Sequence, residues 1–283
     1  MKKILLFGSS GLLGSALYET LFRHNYVLVC PQRPNFDLTD VNSLTTIIKE
    51  TAADVIINAA ARINVNELDN DPLSGWEVNA IMAGMVAKII AQSGMQTPYV
   101  FISTNYVFGD SPVGRTEDDI PFPINTYGKT KALGESLVAQ YSEERPFFIV
   151  RTGWLYGKSR PTYVDEVASA LLKGQHFKAS VDQFGNPTSA VDFAGALLTH
   201  ILKGKRESGI YHLFNATGPA GVSRYEIAKE TARILHAQDT LVQKGEKETL
   251  FNAKRPSAVL LNTKLPPLQD WKEALKAYLV PNS

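Results

Sequence analysis

The sequence has a single cysteine and five histidines, and this scarcity excludes several kinds of site. Cys30 cannot form a disulfide within the chain, and one thiolate cannot build a cysteine-based zinc cluster. It ends an apolar stretch that begins at Val27, so we expect a buried and unreactive thiol. The histidines show no metal-ligand spacing, and we therefore expect no metal site.

Long apolar runs and an excess of one charge are also missing. No stretch approaches the roughly 18 apolar residues of a membrane span. The first apolar run, Ile4–Phe7, stops at Gly8 and is too short for a signal peptide. The formal net charge is only +1, which provides no basic surface for nucleic acid. We expect a cytoplasmic protein with neither nucleic acid nor a membrane as partner, either a monomer or a homodimer.

The first half of the chain alternates short β-rich runs with longer helical patterns. The apolar runs that predict buried strands are Ile4–Phe7, Tyr26–Val29, Val55–Asn58, Tyr99–Ser103 and Phe147–Arg151. The helical patterns between them cover Leu12–Phe22, Val41–Glu50, Trp76–Ala91 and Thr126–Tyr141. Apolar strands that alternate with helices indicate a parallel sheet covered on both faces. The predicted fold is a doubly wound α/β Rossmann sheet.

The pattern loosens after Arg151, where glycine and proline interrupt short helices such as Ser223–Leu235. We assign residues 1–151 to a dinucleotide-binding Rossmann domain. Residues 152–283 are expected to form mainly a smaller substrate-binding lobe, interleaved with the last Rossmann elements.

A glycine-rich loop joins the first predicted strand to the first predicted helix. Gly8, Gly11 and Gly14 supply a tight turn, a close backbone approach to pyrophosphate and close helix–strand packing. The helix N-terminus adds free N–H groups and a positive dipole end. The spacing is one residue wider than the commonest fingerprint, but its position directly after an N-terminal strand favours cofactor binding. Ser10, Leu12 and Leu13 lie within the loop and are expected to contact the cofactor as well.

The second predicted strand bears on the choice of cofactor. The acidic residue that usually binds the ribose 2′-hydroxyl is missing, and the segment continues through Cys30 to Arg33. A guanidinium suits a 2′-phosphate, although a solvated surface arginine is the alternative. We therefore favour NADP(H), with NAD(H) possible.

Tyr127 and Lys131 lie four residues apart at the start of a predicted helix, which places them on one face. A free tyrosine has a pKa near ~10, so proton transfer near neutrality needs a downward shift of roughly three units. A neighbouring ammonium favours the phenolate, which gives Lys131 a physical role. Ser103 and Thr104 end the fourth predicted strand, at the edge where such sheets bind ligands. A hydroxyl there can donate a hydrogen bond to a substrate carbonyl oxygen.

These features together resemble the extended short-chain dehydrogenase/reductase superfamily and, within it, the dTDP-4-dehydrorhamnose reductase family. The resemblance covers nearly the whole chain. The matching segments cover residues 53–61, 103–108, 123–131, 151–157, 182–188 and 255–256.

The resemblance implies roles for individual residues. Thr104, Tyr127 and Lys131 match the catalytic triad, and the glycine loop matches the pyrophosphate site. Asp37 and Leu38 are expected beside the adenine. By the same resemblance, the adenosine and phosphate path is lined by Ala59, Ala60 and Ala61. Among the substrate contacts, the resemblance places Tyr106 and Trp154 near the sugar.

Three positions depart from the family pattern. The family usually has aspartate where this chain has Asn105, and histidine and aspartate where it has Arg62 and Asn66. All three are expected near the sugar. Amides keep hydrogen-bonding ability without the charge of a carboxylate, so these departures leave the identity of the sugar open.

The resemblance implies a reductase of a 4-keto-6-deoxy sugar attached to a nucleoside diphosphate, with Tyr127 as proton donor. One alternative is an epimerase or dehydratase of a similar nucleotide sugar, which would retain its cofactor through the cycle. The other is a cofactor-binding regulatory subunit without turnover, because the chain also resembles the regulatory β-subunit of methionine adenosyltransferase.

Overall fold

The computed structural model of the chain describes residues 1–32, 34–111, 113–142, 144–250 and 253–281. Its strands are β1 (Lys3–Phe7), β2 (Val27–Val29), β3 (Val55–Asn58), β4 (Tyr99–Thr104), β5 (Phe147–Thr152), β6 (Leu155–Tyr156), β7 (Phe177–Ser180), β8 (Phe184–Gly185), β9 (Thr188–Ser189), β10 (Gly209–His212), β11 (Val222–Ser223) and β12 (Val242–Gly245). Its α-helices are α1 (Leu12–Arg23), α2 (Val41–Thr51), α3 (Val65–Asn70), α4 (Leu73–Gly75), α5 (Met82–Gln92), α6 (Thr126–Tyr141), α7 (Tyr163–Leu172), α8 (Ala190–Ala196), α9 (Arg224–Ile234), α10 (Lys247–Leu250) and α11 (Trp271–Leu279).

The central sheet has the strand order β10-β5-β4-β3-β1-β2, and each neighbouring pair is parallel. The chain moves from β1 to β2 on one side and then returns to β3 on the other. This reversal makes a crevice at the carboxyl ends of β1 and β3, where sheets of this type bind ligands. The doubly wound α/β prediction is confirmed.

Both faces of the sheet are buried, as the apolar strands predicted. Along β1, Ile4 and Leu6 pack into a core with α1 and α8, while Leu5 and Phe7 pack into a core with α2 and α5. The same alternation divides the side chains of β4 between the two cores. Each strand therefore needs apolar residues at consecutive positions, because helices cover both sides.

The predicted element bounds agree with the structure to within one residue, with two differences. The helix predicted over Trp76–Ala91 begins with a π-helical turn at Trp76–Ile81 before α5. The strand at Val27–Val29 lies at the edge of the sheet, and Val27 is exposed rather than buried. Cys30 after it is only partly buried, because an edge strand is covered less completely than a central one.

Residues beyond β5 contribute both to the Rossmann part and to a set of smaller two-stranded sheets. β10 completes the edge of the central sheet, and α8 packs against α1. The remaining strands form the two-stranded pairs β6·β9, β7·β12 and β8·β11, which pack with α7, α9 and α11 around separate apolar clusters. The domain boundary at residue 151 stays a prediction. None of the described helices combines the length and the apolar character that crossing a bilayer would require.

Candidate active site

The glycine loop after β1 is built by close backbone contacts. Gly8 has a φ of +79°, and a Cβ atom there would lie 2.5 Å from the backbone nitrogen of Ala60. A Cβ atom on Gly14 would lie 1.9 Å from the carbonyl oxygen of Gly8. Gly11 is the N-cap of α1, and its N–H donates to the carbonyl of Gly8. The loop is thus a glycine cradle at a helix N-terminus, which fits a diphosphate group.

A first cavity of about 420 Å³ opens over this loop. Among the residues that line it are the predicted cofactor contacts Gly8, Ser10, Gly11, Asp37, Leu38, Ala59, Ala60 and Ala61. Phe36 also lines it, with its ring stacked 5.7 Å from that of Phe7. Arg33, which we linked to a 2′-phosphate, lies outside the described residues. The structure therefore gathers loops from three strand ends around one crevice.

Arg62 lies on this first cavity and not in the second cavity that contains the predicted triad, which differs from our expectation. The cause is a side chain that the sequence analysis missed. Asn79, in the π-helical turn, accepts the N–H of Arg62 and donates to its carbonyl, both at 2.8 Å. Its amide also donates to the hydroxyl of Thr130 on α6. Asn79 thus ties the loop after β3 to α6.

A second cavity of about 510 Å³ adjoins the first and shares Ser10, Gly11, Ala59 and Ala61 with it. The predicted residues that line it include Leu12, Leu13, Thr104, Asn105, Tyr106, Tyr127, Lys131 and Trp154. Asn66, on α3, lines neither cavity. The structure therefore brings the three predicted catalytic residues together beside the glycine loop.

The start of α6 positions Tyr127. Asn125 is the N-cap: its side-chain oxygen accepts the N–H of Gly128, and its amide donates to the carbonyl of Lys254. A Cβ atom on Gly128 would lie 2.0 Å from the carbonyl oxygen of Tyr106, so the helix start touches the turn after β4. The Tyr127 ring meets the Tyr106 ring edge-on at 6.0 Å.

Thr104 lies close enough to Tyr127 to affect its pKa. Burial raises the pKa of Tyr127 to about 12, and the Thr104 side chain opposes the rise. The Thr104 oxygen also accepts the N–H of Tyr106. Tyr127 is therefore a protonated phenol at neutral pH.

Lys131 lies one helical turn after Tyr127 on α6. Its ammonium donates to the carbonyl of Ile102 at 2.6 Å and lies 3.8 Å from the centroid of the Phe101 ring. Burial lowers the pKa of Lys131 to about 7, and the charge of Glu135 opposes this decrease. Lys131 is thus a buried, titratable cation.

Asn105 shows why an amide can occupy this position. Its Nδ2 donates to the carbonyl of Ala258 at 2.8 Å, and its Oδ1 accepts from the Thr104 hydroxyl. An ionised aspartate has no N–H group and cannot make the first bond. The amide therefore connects the turn after β4 to the segment around residue 258.

Three arginines of the second cavity were not among the predicted site residues. They are Arg160, Arg224 and Arg255. The Arg224 guanidinium lies 3.9 Å from the centroid of the Trp154 ring and 4.5 Å from that of Tyr163. Trp154 itself adopts a φ of +33°, which a bulky residue rarely does. Of the three, only Arg255 lies in a segment that matches the family. The arginines come from distant parts of the chain, so no local sequence pattern connects them.

No cluster of three or more histidine, cysteine or acidic side chains suited to a metal ion occurs within the described ranges. The expectation that no metal takes part stays a prediction.

Comparisons with known proteins agree with this architecture. The sequence model of the RmlD substrate binding domain matches residues 1–282. A dTDP-4-dehydrorhamnose reductase of Mycolicibacterium smegmatis is 31% identical over 285 residues, covering 97% of this chain and 84% of the relative.

Two solved structures are also similar. The dTDP-4-dehydrorhamnose reductase of Bacillus anthracis, in complex with NADP, is 27% identical with a TM-score of 0.89 and full coverage of both chains. Its Clostridium acetobutylicum counterpart is 31% identical with a TM-score of 0.88, covering 98% of each chain. The chain therefore belongs to the RmlD substrate binding domain family, the family of the dTDP-4-dehydrorhamnose reductases.

Proposed function

We propose that the protein is an NADPH-dependent reductase of a nucleoside-diphosphate 4-keto-6-deoxy sugar. The observation that carries the proposal is the second cavity, in which Thr104, Tyr127 and Lys131 lie together beside the glycine loop. Curated relatives named as reductases of this class support the same activity.

The first cavity is the proposed cofactor site. Its glycine cradle fits the pyrophosphate, and Asp37 and Leu38 lie where an adenosine would extend from it. Arg33 remains our candidate partner for a 2′-phosphate. We favour NADP(H) because a relative of similar structure is a complex with NADP, and NAD(H) is the alternative.

The proposed chemistry is proton donation to a carbonyl oxygen while its carbon is reduced. When bound, NADPH supplies the hydride. Thr104 orients the carbonyl oxygen, and Tyr127 donates the proton to it. Because burial raises the pKa of Tyr127, its phenolate needs stabilisation. The charge of Arg160 favours the phenolate, and we assign a second such role to the ammonium of Lys131, one helical turn away. Lys131 therefore acts mainly by its charge.

The arginines indicate the class of substrate. Guanidinium groups match phosphate oxygens in a bidentate geometry, and three of them line the cavity that contains the triad. We assign them to the diphosphate, and Asn105, Tyr106 and Trp154 to the sugar end. Arg62 lies on the cofactor side, so we no longer assign it to the sugar. Asn66 has a buried Oδ1 without a described partner and faces neither cavity.

We further propose a cytoplasmic location and a monomer or homodimer. Light scattering of the purified protein distinguishes the two oligomeric states.

The experiment follows NADPH absorbance with dTDP-4-dehydrorhamnose generated in place, comparing wild type with Tyr127→Phe. We expect steady oxidation by the wild type and a loss of about 10²- to 10⁴-fold in the variant, the usual contribution of a positioned proton donor. Tyr18→Phe, at an exposed position on α1, is the matched control and should keep full activity.

Absence of oxidation by the wild type would exclude dTDP-4-dehydrorhamnose as the substrate. Isolation with tightly retained NAD(H) would then favour an epimerase or dehydratase, and saturable cofactor binding without turnover would favour a regulatory subunit.

A further inference from the structure

A buried ionic network lies on the side of Lys131 that faces away from the substrate cavity. Ser103, Arg151 and His212 occupy the same level of three adjacent parallel strands, since Ser103 pairs with Arg151 and Arg151 pairs with His212. Residues paired in this way point to the same face of a sheet. That face is covered by α6, which contributes Glu135.

Glu135 is hydrogen-bonded to side chains of β4 and β5. Its carboxylate accepts from the Arg151 guanidinium at two atoms, with Nε to Oε1 at 2.9 Å and Nη2 to Oε2 at 2.7 Å. Oε1 also accepts from the Ser103 hydroxyl. The side chains of Arg151 and Glu135 are 0% and 4% exposed. This is a fixed, bidentate ion pair in a region of low dielectric, where charges interact strongly.

Lys131 and Glu135 are four residues apart on α6 and therefore lie on one helical face, with Tyr127 one turn earlier. Lys131 is 1% exposed, and its described bond goes to a neutral carbonyl. The charge of Glu135 acts on Lys131 and opposes the effect of burial on its pKa. Glu135 in turn pairs with Arg151, which is next to His212 on the neighbouring strand. Lys131 also lines the second cavity, together with Tyr127, Tyr106 and the three arginines. Among these groups Glu135 is the acidic one.

We propose that Glu135 is a positioning residue, a buried counter-ion shared between Arg151 and Lys131 that holds Lys131 as an ammonium beneath Tyr127. This inference rests on the proposed function for its catalytic consequence, but the charge state of Lys131 is measurable without any substrate.

The carboxylate of Glu135 changes the balance of charge around Lys131. With Glu135 present, two cations share one anion and the site carries one net positive charge. Without it, Lys131 and Arg151 repel each other in a medium that hydrates neither, and Lys131 loses its proton first because arginine is effectively always charged. Burial already brings the pKa of Lys131 to about 7, so a further decrease makes it neutral under working conditions.

His212 is consistent with this account. Its Nδ1 lies 2.7 Å from the carbonyl of Leu261, and burial together with the charge of Arg151 lowers its pKa to about 3. His212 is therefore neutral and adds no positive charge to the network.

The test measures the titration of Lys131 directly. Protein labelled with ¹³C at the lysine ε-carbons is titrated by NMR, and the Lys131 signal is assigned with Lys131→Met. We expect Glu135→Gln, which keeps the side-chain shape, to lower the pKa of Lys131 by about one unit or more. Arg151→Met frees the carboxylate for Lys131 and should raise that pKa.

The double variant E135Q/R151M removes both charges and should give a value between those of the single variants. It also serves if a single variant fails to fold, because replacing a buried ion pair by neutral groups of similar volume is often tolerated. Urea unfolding of each protein establishes that it is folded.

The catalytic consequence is a shift in the pH profile. Activity that requires the ammonium falls as pH rises through the pKa of Lys131, so the alkaline limb should move to lower pH in Glu135→Gln and to higher pH in Arg151→Met. An unchanged Lys131 titration in folded Glu135→Gln, or an activity loss equal at all pH values, would overturn the proposal. If the wild type reduces no keto sugar but the titrations shift as described, the proposed function fails and the network stands.

Discussion

The two cavities of this protein differ in whether backbone or side chains shape them. The first is shaped by backbone: glycines without Cβ atoms, the small residues Ala59–Ala61, and a helix N-terminus. The second is shaped by side chains that come from residues about 100 positions apart, such as Tyr127 and Arg224. A backbone cradle suits a ligand that every member of a fold class binds, whereas a side-chain cavity can change its substrate by substitution.

The largest effect should follow from filling the backbone cradle. In Gly14→Ala the new Cβ would lie 1.9 Å from the carbonyl oxygen of Gly8, so the loop must move. We expect NADPH binding, measured by fluorescence titration, to weaken by at least about 100-fold, since the loop brings the backbone to the pyrophosphate. Gly195→Ala is the control, because a Cβ there meets nothing within 4 Å. Equal affinities in the two variants would show that the cradle does not bind the cofactor.

A smaller effect should follow from removing one arginine of the second cavity. Arg224→Met keeps much of the contact with Trp154 but loses the charge. We expect the KM for the nucleotide sugar to rise about 10- to 100-fold, the value of one or two charge-assisted hydrogen bonds, with the KM for NADPH unchanged. Arg233→Met on the exposed side of α9 is the control. A rise in the KM for NADPH, with the KM for the nucleotide sugar unchanged, would mean that Arg224 contacts the cofactor and not the sugar nucleotide.

The first cavity could be predicted from the sequence more completely than the second, because local backbone features are visible in the sequence and long-range side-chain contacts are not. The glycine loop was found because its spacing is local and each glycine has a steric reason. Tyr127 and Lys131 were found because four residues make a helical turn. Arg160 and Arg224 were missed, since they come from the loop after β6 and from α9, two separate segments that meet only in the folded chain.

Two further differences have local causes that sequence periodicity does not contain. Arg62 lies beside the first cavity because both of its backbone groups are bonded to Asn79. The helical pattern over Trp76–Ala91 gave no indication of the π-helical turn that carries Asn79.

The tie made by Asn79 offers a test of how rigid the first cavity must be. Asn79 is 0% exposed, and Asn79→Ala leaves the N–H and carbonyl of Arg62 without their partner. We expect a loss of about 1–3 kcal/mol in the free energy of unfolding, measured with urea, together with weaker NADPH binding. The exposed Asn70→Ala should change neither. Lost stability with unchanged NADPH affinity would mean that the cradle alone orders the cofactor site.

The smallest effect concerns the pH dependence of stability and the buried residue His212 on β10. His212 has a folded pKa of about 3, below the ordinary histidine value near ~6.5. The unfolded chain therefore binds more protons between these values, and stability decreases as pH falls through this window. Between pH ~7.5 and ~5.5 the contribution is about 1 kcal/mol. His212→Gln should lose this part of the pH dependence in urea unfolding, and an equal dependence in both proteins would show that His212 is not held neutral.

The most direct measurement of the central claim follows an isotope from the first cavity to a sugar in the second. NADPH deuterated at the transferred position of its nicotinamide is incubated with enzyme and dTDP-4-dehydrorhamnose, and the product is analysed by mass spectrometry and NMR. We expect one deuterium on the former keto carbon of the product, at a rate that falls sharply in Tyr127→Phe. A product without deuterium, or no product beside intact cofactor, would contradict it.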